Sequence, residues 1–315
     1  MTISKYRIIY MGTPAFSVSP LLTLLNHQYN IVACITQPDK KKGRGYEVSF
    51  SDVKKTALEN GLPVLQPTLI RKQFWLDKII EMKPNLLITC AYGQMLPKKL
   101  LDIPEFGCIN IHASLLPEYR GASPISKAIY DGKEVTGVTT MMTNEGMDTG
   151  DILLKKQVDI PSDMTFSELH DLLSAKGSEL IIETLKQLEE GAIIPIKQDD
   201  NKASYAPMVN KEDGFIDWER DAQSIHNQIR AFNPWPGSYT FYKDKKLKIL
   251  SASFSNESHD YPFGMIINKS KEHVDIACST GILLIRQLQF ENKRVMDVKE
   301  CYHNMETGTI LGGGA

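Results

Sequence analysis

The stretch "GCINIHASLLPEYRGASPI", residues 107–125, decides the fold prediction because it joins an apolar strand to a helix across a polar turn. Its first half carries an amide and an imidazole two positions apart, at Asn110 and His112. Side chains alternate between the two faces of a strand, so these two share one face and the neighbouring isoleucines take the other. The stretch therefore predicts a buried strand that ends in two polar side chains pointing into one crevice.

Strand-like and helix-like segments alternate on both sides of this stretch. The apolar runs "RIIYMG", "NIVACI" and "NLLITC" precede it and "VTGVTTMMT" follows it, with segments of helical spacing between them. A long helix-like segment then opens with a capping pair, Thr165 and Glu168. Continuous apolar strands separated by helices predict an α/β fold with a mainly parallel, Rossmann-like sheet flanked by helices. Ligands of such sheets bind at the carboxyl ends of the strands.

The pattern changes after Gly191. The next residues are polar and without a clear period, and short strand-like runs separated by Gly, Asn, Ser and Lys follow from near Met208. Such runs are typical of a small barrel or sandwich. The length of 315 residues fits about two domains. We therefore expect an α/β domain over 1–190, a linker over 191–208 and a small β domain over 209–315.

Composition narrows the class of protein. Hydrophobic residues make up 42% of the chain and charged residues 23%, as in an ordinary globular protein. The net charge of -2 excludes a generally basic nucleic-acid coat, so any polyanion must meet local patches. The five cysteines are scattered and form no Cys-x-x-Cys motif, which indicates reduced thiols in a cytoplasm. We also expect no membrane span and no signal peptide.

A carboxylate adds to the polar pair. In "NEGMDTGDILL", Asp148 lies between two glycines just after a predicted strand, so its side chain can approach the crevice of Asn110 and His112. There it could orient the imidazole and stabilise its protonated form. An amide donor beside a group that moves protons near neutral pH suits the stabilisation of an oxyanion. The alternatives are a satisfied core histidine, a solvated turn acid, or half of a metal pair with Asp151.

The sequence lacks the motifs of several other kinds of binding site and enzyme. "YMGTPAFS" has one glycine where a dinucleotide fingerprint needs three, and no Walker motif occurs. No Gly-x-Ser-x-Gly elbow is present, and "Asp-Thr-Gly" lacks the second loop of an aspartic protease. None of the seven histidines has another histidine at ligand spacing, so we expect no metal. Direct transfer is favoured over a covalent intermediate.

The motifs resemble a known family. "NIHASLLPEYRGASPI" and "GMDTGDIL" are similar to the signature of the folate-dependent formyltransferases. "MGTPAFS", "TQPDKKKGRG", "AYGQMLP", "IRAFNPWPG" and "LQF" extend the resemblance nearly end to end, towards the methionyl-tRNA formyltransferase family. The resemblance implies a catalytic domain followed by an OB-like, tRNA-binding domain. It implies formyl transfer from 10-formyltetrahydrofolate to the α-amine of methionine on initiator methionyl-tRNA, for the initiation of translation.

The resemblance also implies roles for individual residues. It makes Asn110, His112 and Asp148 the catalytic trio. It gives folate-binding roles to Ser114, Leu115, Leu116 and Pro117. It implies no metal site. It places the loop around Arg44 at the acceptor end of the tRNA.

Two basic clusters are the candidate tRNA contacts. "DKKKGRGYE" contains Lys41, Lys42 and Arg44, and "YKDKKLK" contains Lys245 and Lys246. From sequence alone, each cluster is more often a solvated charge run than a binding site. The expected partners are initiator methionyl-tRNA and the folate, with no membrane and a monomeric chain. The rival functions are a formyltransferase for a sugar amine or a purine precursor, and a hydrolase of formyltetrahydrofolate.

Overall fold

A computed structural model describes residues 5–42 and 47–312. The chain divides into two compact units. The first unit contains Met1–Gly121, Val135–Asp159 and His170–Ala206, and the second contains Ala122–Glu134, Ile160–Leu169 and Pro207–Ala315. Most of the predicted linker therefore lies in the first unit, and the predicted domain limits stay predictions.

The helices and strands follow each other along the chain. The first half forms β1 (Arg7–Gly12), α1 (Val18–Asn26), β2 (Asn30–Ile35), β3 (Lys40–Lys42), β4 (Glu47–Ser49), α2 (Asp52–Glu59), β5 (Val64–Leu65), α3 (Gln73–Glu81), β6 (Leu86–Cys90), α4 (Lys98–Leu101), β7 (Cys108–His112), β8 (Arg120–Gly121), α5 (Pro124–Tyr130), β9 (Val135–Met142) and β10 (Ile152–Asp159). The second half forms α6 (Phe166–Glu189), β11 (Tyr205–Ala206), α7 (Ala222–Phe232), β12 (Ser238–Tyr242), β13 (Lys245–Ser255), β14 (Ile266–Lys269), β15 (Val274–Ala277), β16 (Ile282–Phe290), β17 (Met296–Asp297) and α8 (Val298–Cys301).

The main sheet of the first unit has seven strands in the order β10-β9-β7-β6-β1-β2-β5. The five neighbouring strands β7, β6, β1, β2 and β5 pair in parallel. At the β7 edge, β9 pairs antiparallel with β7, and β10 pairs antiparallel with β9. The predicted mainly parallel α/β fold is thus confirmed. Its strands read as continuous apolar runs because both faces of the sheet are buried.

Strand β7 shows how this sheet separates its two faces. Cys108 packs in the core cluster that includes Ile9 and Ile79. Ile111 takes the opposite face, where a Cβ added at Gly177 of α6 would come within 2.9 Å of its Cγ2. Asn110 and His112 alternate onto the same face as Cys108, as the period of two requires.

The second unit contains an antiparallel sheet in the order β12-β13-β16-β15-β14, with β17 beside β16. Its core includes side chains of α7 such as Ile225 and Ile229, packed among strand residues. A C-terminal domain built on an antiparallel sheet is confirmed, whereas closure into an OB-like barrel stays a prediction. Within residues 5–42 and 47–312, no helix combines the length and the apolar character needed to cross a membrane.

Candidate active site

Asn110 lies near the end of β7 with its amide held in one orientation. The hydroxyl of Thr89, its register partner on β6, donates to Asn110 Oδ1 at 2.8 Å. The Nδ2 group therefore faces away from β6, where it makes a long hydrogen bond of 3.4 Å to Asp148 Oδ1. A carboxylate only accepts, which fits the donor end of the amide on this side. Asn110 thus presents N–H groups to the crevice.

His112 is the last residue of β7, and its side chain is only 6% exposed. Its Nε2 lies 2.9 Å from the carbonyl oxygen of Tyr119. Since a carbonyl oxygen only accepts, Nε2 must carry a proton, and in the neutral ring Nδ1 holds the lone pair. Nδ1 lies 3.6 Å from Asp148 Oδ2, an ion-pair distance once the ring is protonated. The free nitrogen of the imidazole therefore points at the carboxylate.

Asp148 reaches the strand residues by a loop that folds back. Strand β9 is antiparallel to β7, so its last residue, Met142, pairs with Ile109 near the start of β7. Asp148 itself has a φ of +53°, a left-handed conformation that costs a residue other than glycine about 1–2 kcal/mol. Its Oδ2 accepts the backbone N–H of Gly121 at 2.8 Å. The carboxylate is thereby fixed between the amide and the imidazole.

The three side chains together form a small acid–base site. It combines N–H donors on Asn110, a proton acceptor at Nδ1 of His112 and a carboxylate that stabilises the protonated ring. Such a set can stabilise an oxyanion while it accepts a proton from a nucleophile. The predicted trio therefore lies in one cluster within the first unit.

Two backbone groups of the site were not predicted from the sequence. The carbonyl of Tyr119 orients His112, and the N–H of Gly121 holds Asp148. Side-chain type gives no signal for such contacts, although the sequence does predict a polar turn in this stretch. Gly121 has a φ of +116°, and an added Cβ would lie 2.8 Å from the backbone oxygen of Ala206, so glycine is required there.

The thiols of the sheet carry no nucleophile. Burial raises the pKa of Cys108, on the same face as Asn110, to about 11 and that of Cys90 to about 12. A thiol of this kind is protonated at neutral pH and therefore unreactive. Among the described residues, no cluster of three or more His, Cys, Asp or Glu could hold a metal ion.

The predicted folate residues form the turn after β7, and they differ in exposure. Ser114 and Leu116 are fully buried, and Leu116 packs with Met141 and Ile152. Leu115 and Pro117 are half-buried. The Leu116 N–H donates to the hydroxyl of Thr139 at 3.2 Å, which fixes the turn against β9. Any ligand beside this turn would meet half-buried Leu115 and Pro117 or the backbone.

The first basic cluster lies partly on a short hairpin. Lys41 and Lys42 belong to β3, which pairs antiparallel with β4. Arg44 and the glycines beside it lie outside the described residues, so their predicted contacts with tRNA stay predictions. The sequence indicated a loop over the whole cluster, whereas Lys41 and Lys42 lie on a strand; the predicted loop at Arg44 itself is outside the described residues.

Lys54 of α2 holds both ends of this hairpin. Its ammonium lies 2.5 Å from Asp39 Oδ2 just before β3, and 3.9 Å from the ring centre of Phe50 just after β4. It also donates to Gln66 Oε1 at 2.8 Å. Hydrogen bonds from Lys54 and Gln66 hold the pKa of Asp39 below its usual value. We call these contacts of Lys54 with Asp39, Phe50 and Gln66 the Lys54 clamp. The Lys54 side chain at its centre is only 13% exposed and so is mostly sheltered from water.

The second basic cluster lies on the β12–β13 hairpin of the second unit. Lys245 is exposed, and the Lys246 ammonium lies 3.5 Å from the ring centre of Tyr239. Burial, followed by repulsion from Lys248 and Lys211, lowers the pKa of Lys246. Phe215, which is 41% exposed, packs edge-on against Tyr239. The hairpin thus presents aromatic rings beside clustered positive charge.

Comparison with known proteins identifies relatives along almost the whole chain. The family model described as formyl transferase matches residues 6–185, and the model of the formyl transferase C-terminal domain matches residues 208–305. The chain is 44% identical over 309 residues to "Methionyl-tRNA formyltransferase" of Acetivibrio thermocellus, covering 97% of this chain and 99% of the relative. It is 46% identical over 308 residues to the protein of the same name from Caldanaerobacter subterraneus subsp. tengcongensis, with coverage of 97% and 99%.

A solved structure has a similar fold. The N-formyltransferase from Helicobacter canadensis, in complex with folinic acid and dTDP-3-aminofucose, superposes with a TM-score of 0.68. It covers 91% of this chain and all of its own, at 20% sequence identity. At that identity the likeness supports the fold alone.

Proposed function

The chain belongs to the formyltransferase family, and we infer that it transfers a formyl group from 10-formyltetrahydrofolate to the α-amine of methionine on initiator methionyl-tRNA. One observation carries this conclusion: relatives named methionyl-tRNA formyltransferase are 44% and 46% identical over 97% of the chain. Formylation of this amine prepares the tRNA for the initiation of translation. No observation favours a sugar amine, a purine precursor or water as the acceptor.

The site geometry supports a direct transfer mechanism. The amine nitrogen forms the new bond to the formyl carbon while the carbonyl electron pair moves onto the formyl oxygen. Asn110 Nδ2 donates to that oxygen, and one donor of this kind contributes about 3 kcal/mol. His112 Nδ1 takes the proton that the amine nitrogen releases, because Nε2 is committed to Tyr119. The oxyanion then re-forms the carbonyl as the bond from the formyl carbon to N10 breaks. The electron pair of that bond goes to N10, and protonated His112 gives its proton to the same nitrogen.

Asp148 has a separate role in this mechanism. Its carboxylate accepts from Gly121 and lies 3.6 Å from Nδ1, so it stabilises the imidazolium formed when the proton arrives. The neutral ring is oriented by Tyr119 rather than by the acid. Asp148 therefore acts on the charged state of His112, when the oxyanion also forms.

The turn after β7 is the proposed support for the folate. Ser114 and Leu116 shape it from inside, since the Ser114 hydroxyl donates to Glu118 O at 2.6 Å and Leu116 is fully buried. Leu115 and Pro117, three and five positions after His112, then offer half-buried apolar surface on this turn. Most ligand pockets combine apolar walls with a few polar groups, which suits a flat pterin here.

The basic hairpins are the proposed tRNA contacts. Lys41 and Lys42 belong to strand β3, which Lys54 holds through Asp39 and Phe50, and a strand held in place loses little entropy when it binds a partner. Arg44 is proposed as a further tRNA contact on the resemblance alone. Lys246 lies against the half-buried ring of Tyr239, which packs on exposed Phe215. Aromatic rings can stack on bases while the ammonium groups of Lys245 and Lys246 contact phosphates.

Three further properties complete the proposal. Residues 1–190 form the catalytic domain and 209–315 an OB-like tRNA-binding domain, joined by 191–208. The protein works in the cytoplasm, where reduced thiols such as its five free, buried cysteines are stable. It acts as a monomer, which light scattering at micromolar concentration tests directly.

A panel of acceptors tests the function. Purified protein is given 10-formyltetrahydrofolate with one of four acceptors: initiator methionyl-tRNA, an amino-sugar nucleotide, a glycinamide nucleotide or water alone. We expect formylation of the tRNA-bound methionine and negligible transfer to the other three. His27→Ala is the matched control for a His112→Ala variant, because His27 is a surface residue just after α1 whose ring contacts Thr23 O of that helix.

Each other outcome points to one rival. Faster transfer to the amino sugar or to the glycinamide nucleotide would replace the proposed acceptor. Release of formate at the full rate without any amine would indicate a hydrolase.

A further inference from the structure

The loop that carries Asp148 is held by a glutamine fifty positions further along the chain. Gln198 Nε2 donates to the carbonyl oxygen of Asp148 at 2.8 Å and to that of Gly150 at 2.7 Å. A side-chain amide has two N–H groups, so both bonds form together. Gln198 therefore fixes the backbone at the acid itself and two residues beyond it.

A buried arginine determines which way this amide points. Arg120 Nε donates to Gln198 Oε1 at 3.0 Å, and Arg120 Nη2 donates to Asp200 Oδ1 at 2.8 Å. The Arg120 side chain is only 2% exposed. Reversing the amide would set its oxygen against two carbonyl oxygens and its NH2 against the guanidinium. One orientation is therefore strongly favoured, and it is the one that holds the Asp148 loop.

Arg120 also links this contact to the histidine. Its chain neighbours Tyr119 and Gly121 contact His112 and Asp148 respectively. Ser204 holds two of these three residues: its Oγ accepts from Tyr119 N at 2.9 Å and its carbonyl accepts from Arg120 N at 2.8 Å. The segment 198–204 thus supports both the base and the acid of the proposed mechanism.

We propose that Gln198 is a positioning residue for formyl transfer. It keeps the Asp148 carboxylate opposite Nδ1 of His112 and touches no reacting atom itself. The inference rests on the proposed function, because it acts through the roles given to Asp148 and His112. Loss of the two hydrogen bonds lets the loop shift, and a shift of about 1 Å in a catalytic group can cost about 10²-fold in rate.

Two substitutions of matched shape test the proposal. Gln198→Glu keeps the contact with Arg120 but sets a carboxylate oxygen against the two carbonyls, and Gln198→Met removes the hydrogen bonds without adding charge. We expect kcat for formyl transfer to fall by about 10–10²-fold in both variants. The KM values for folate and tRNA should stay within about twofold, because Gln198 is assigned no contact with either substrate.

A glutamine elsewhere in the first unit supplies the control. Gln187 on α6 donates only to exposed Glu183 at 3.0 Å, so Gln187→Glu makes the same chemical change away from the site. This variant should keep wild-type kcat. Thermal unfolding of all variants separates a loss of folded protein from a loss of rate per folded molecule.

A double-mutant cycle with Asp148→Asn distinguishes positioning from a general structural role. If Gln198 acts through Asp148, Gln198→Glu should change kcat by less than about threefold in the Asp148→Asn background. An undiminished loss in that background would overturn the proposal, as would wild-type kcat in both Gln198 variants. A normal kcat for Asp148→Asn itself would instead overturn the proposed role of the acid.

Discussion

The trio of Asn110, His112 and Asp148 and the lysines of the β12–β13 hairpin are held in place by opposite means. The amide, the imidazole and the carboxylate each contact named protein groups and are largely buried. On the hairpin, Lys245 is exposed and Lys246 rests on a tyrosine ring. A preorganised buried site acts on the rate of the chemical step, whereas surface charges act on binding, one phosphate at a time. Substitutions in the two regions should therefore change different kinetic constants.

The largest effect should come from His112. In His112→Ala the proton acceptor is lost, so kcat should fall by roughly 10²–10⁴-fold with little change in the KM for folate. Single-turnover formylation measured by rapid quench gives the rate, and His27→Ala serves as the control. Near-normal transfer by His112→Ala would remove the histidine from the mechanism.

Asn110 should follow. In Asn110→Ala one donor to the developing oxyanion is lost, and kcat should fall by about 10²–10³-fold. The same quench assay measures it. Since Thr89 donates to the Asn110 amide at 2.8 Å, Thr89→Val should give a smaller loss of the same kind. A rise in KM with unchanged kcat would mean that Asn110 binds substrate instead.

Loosening the β3–β4 hairpin should have the third-largest effect. In Lys54→Met the contacts to Asp39, Phe50 and Gln66 are lost, so the hairpin should lose its fixed position. We expect kcat/KM for methionyl-tRNA to fall by about tenfold while the KM for folate is kept. Lys55→Met is the matched control, since its neighbour Lys55 is exposed and makes only a 3.4 Å contact with Asp52. Equal losses for both substrates would show that Lys54 supports the fold instead.

The smallest effect should come from Lys246. In Lys246→Gln one phosphate contact is lost, so tRNA affinity should fall a few-fold and the slope of log K against log salt should decrease by about 0.7–0.9. Fluorescence titration at several salt concentrations measures both. Lys243→Gln is the control on the same turn, because the Lys243 ammonium already pairs with Glu306 at 2.5 Å. An unchanged salt slope in Lys246→Gln would exclude this lysine from the tRNA surface.

The sequence predicted what depends on periodicity. The apolar runs of β1, β2, β6 and β7 identified the parallel sheet, because both of its faces are buried. The alternation of side chains placed Asn110 and His112 on one face. These features are local, and a single chain reveals them.

The route of the Asp148 loop depends on pairing instead. The antiparallel order of β9 and β7 sends that loop back along the strand, and no local pattern encodes this choice. The contacts of Tyr119 and Gly121 use backbone atoms, which every residue has. Gln198 lies in a polar segment without a period, so its part in the site emerges only from the tertiary structure.

In the proposed mechanism one amide and one imidazole meet the formyl group, and the carboxylate lies beside Nδ1 of that imidazole. The most direct measurement is a crystal structure of the protein with a 5-formyl analogue of the folate, which cannot complete the transfer. We predict that the formyl oxygen lies within about 3.2 Å of Asn110 Nδ2 and that His112 Nδ1 faces the formyl carbon. A formyl group beyond hydrogen-bond reach of both side chains, with Asp148 turned to solvent, would contradict the account.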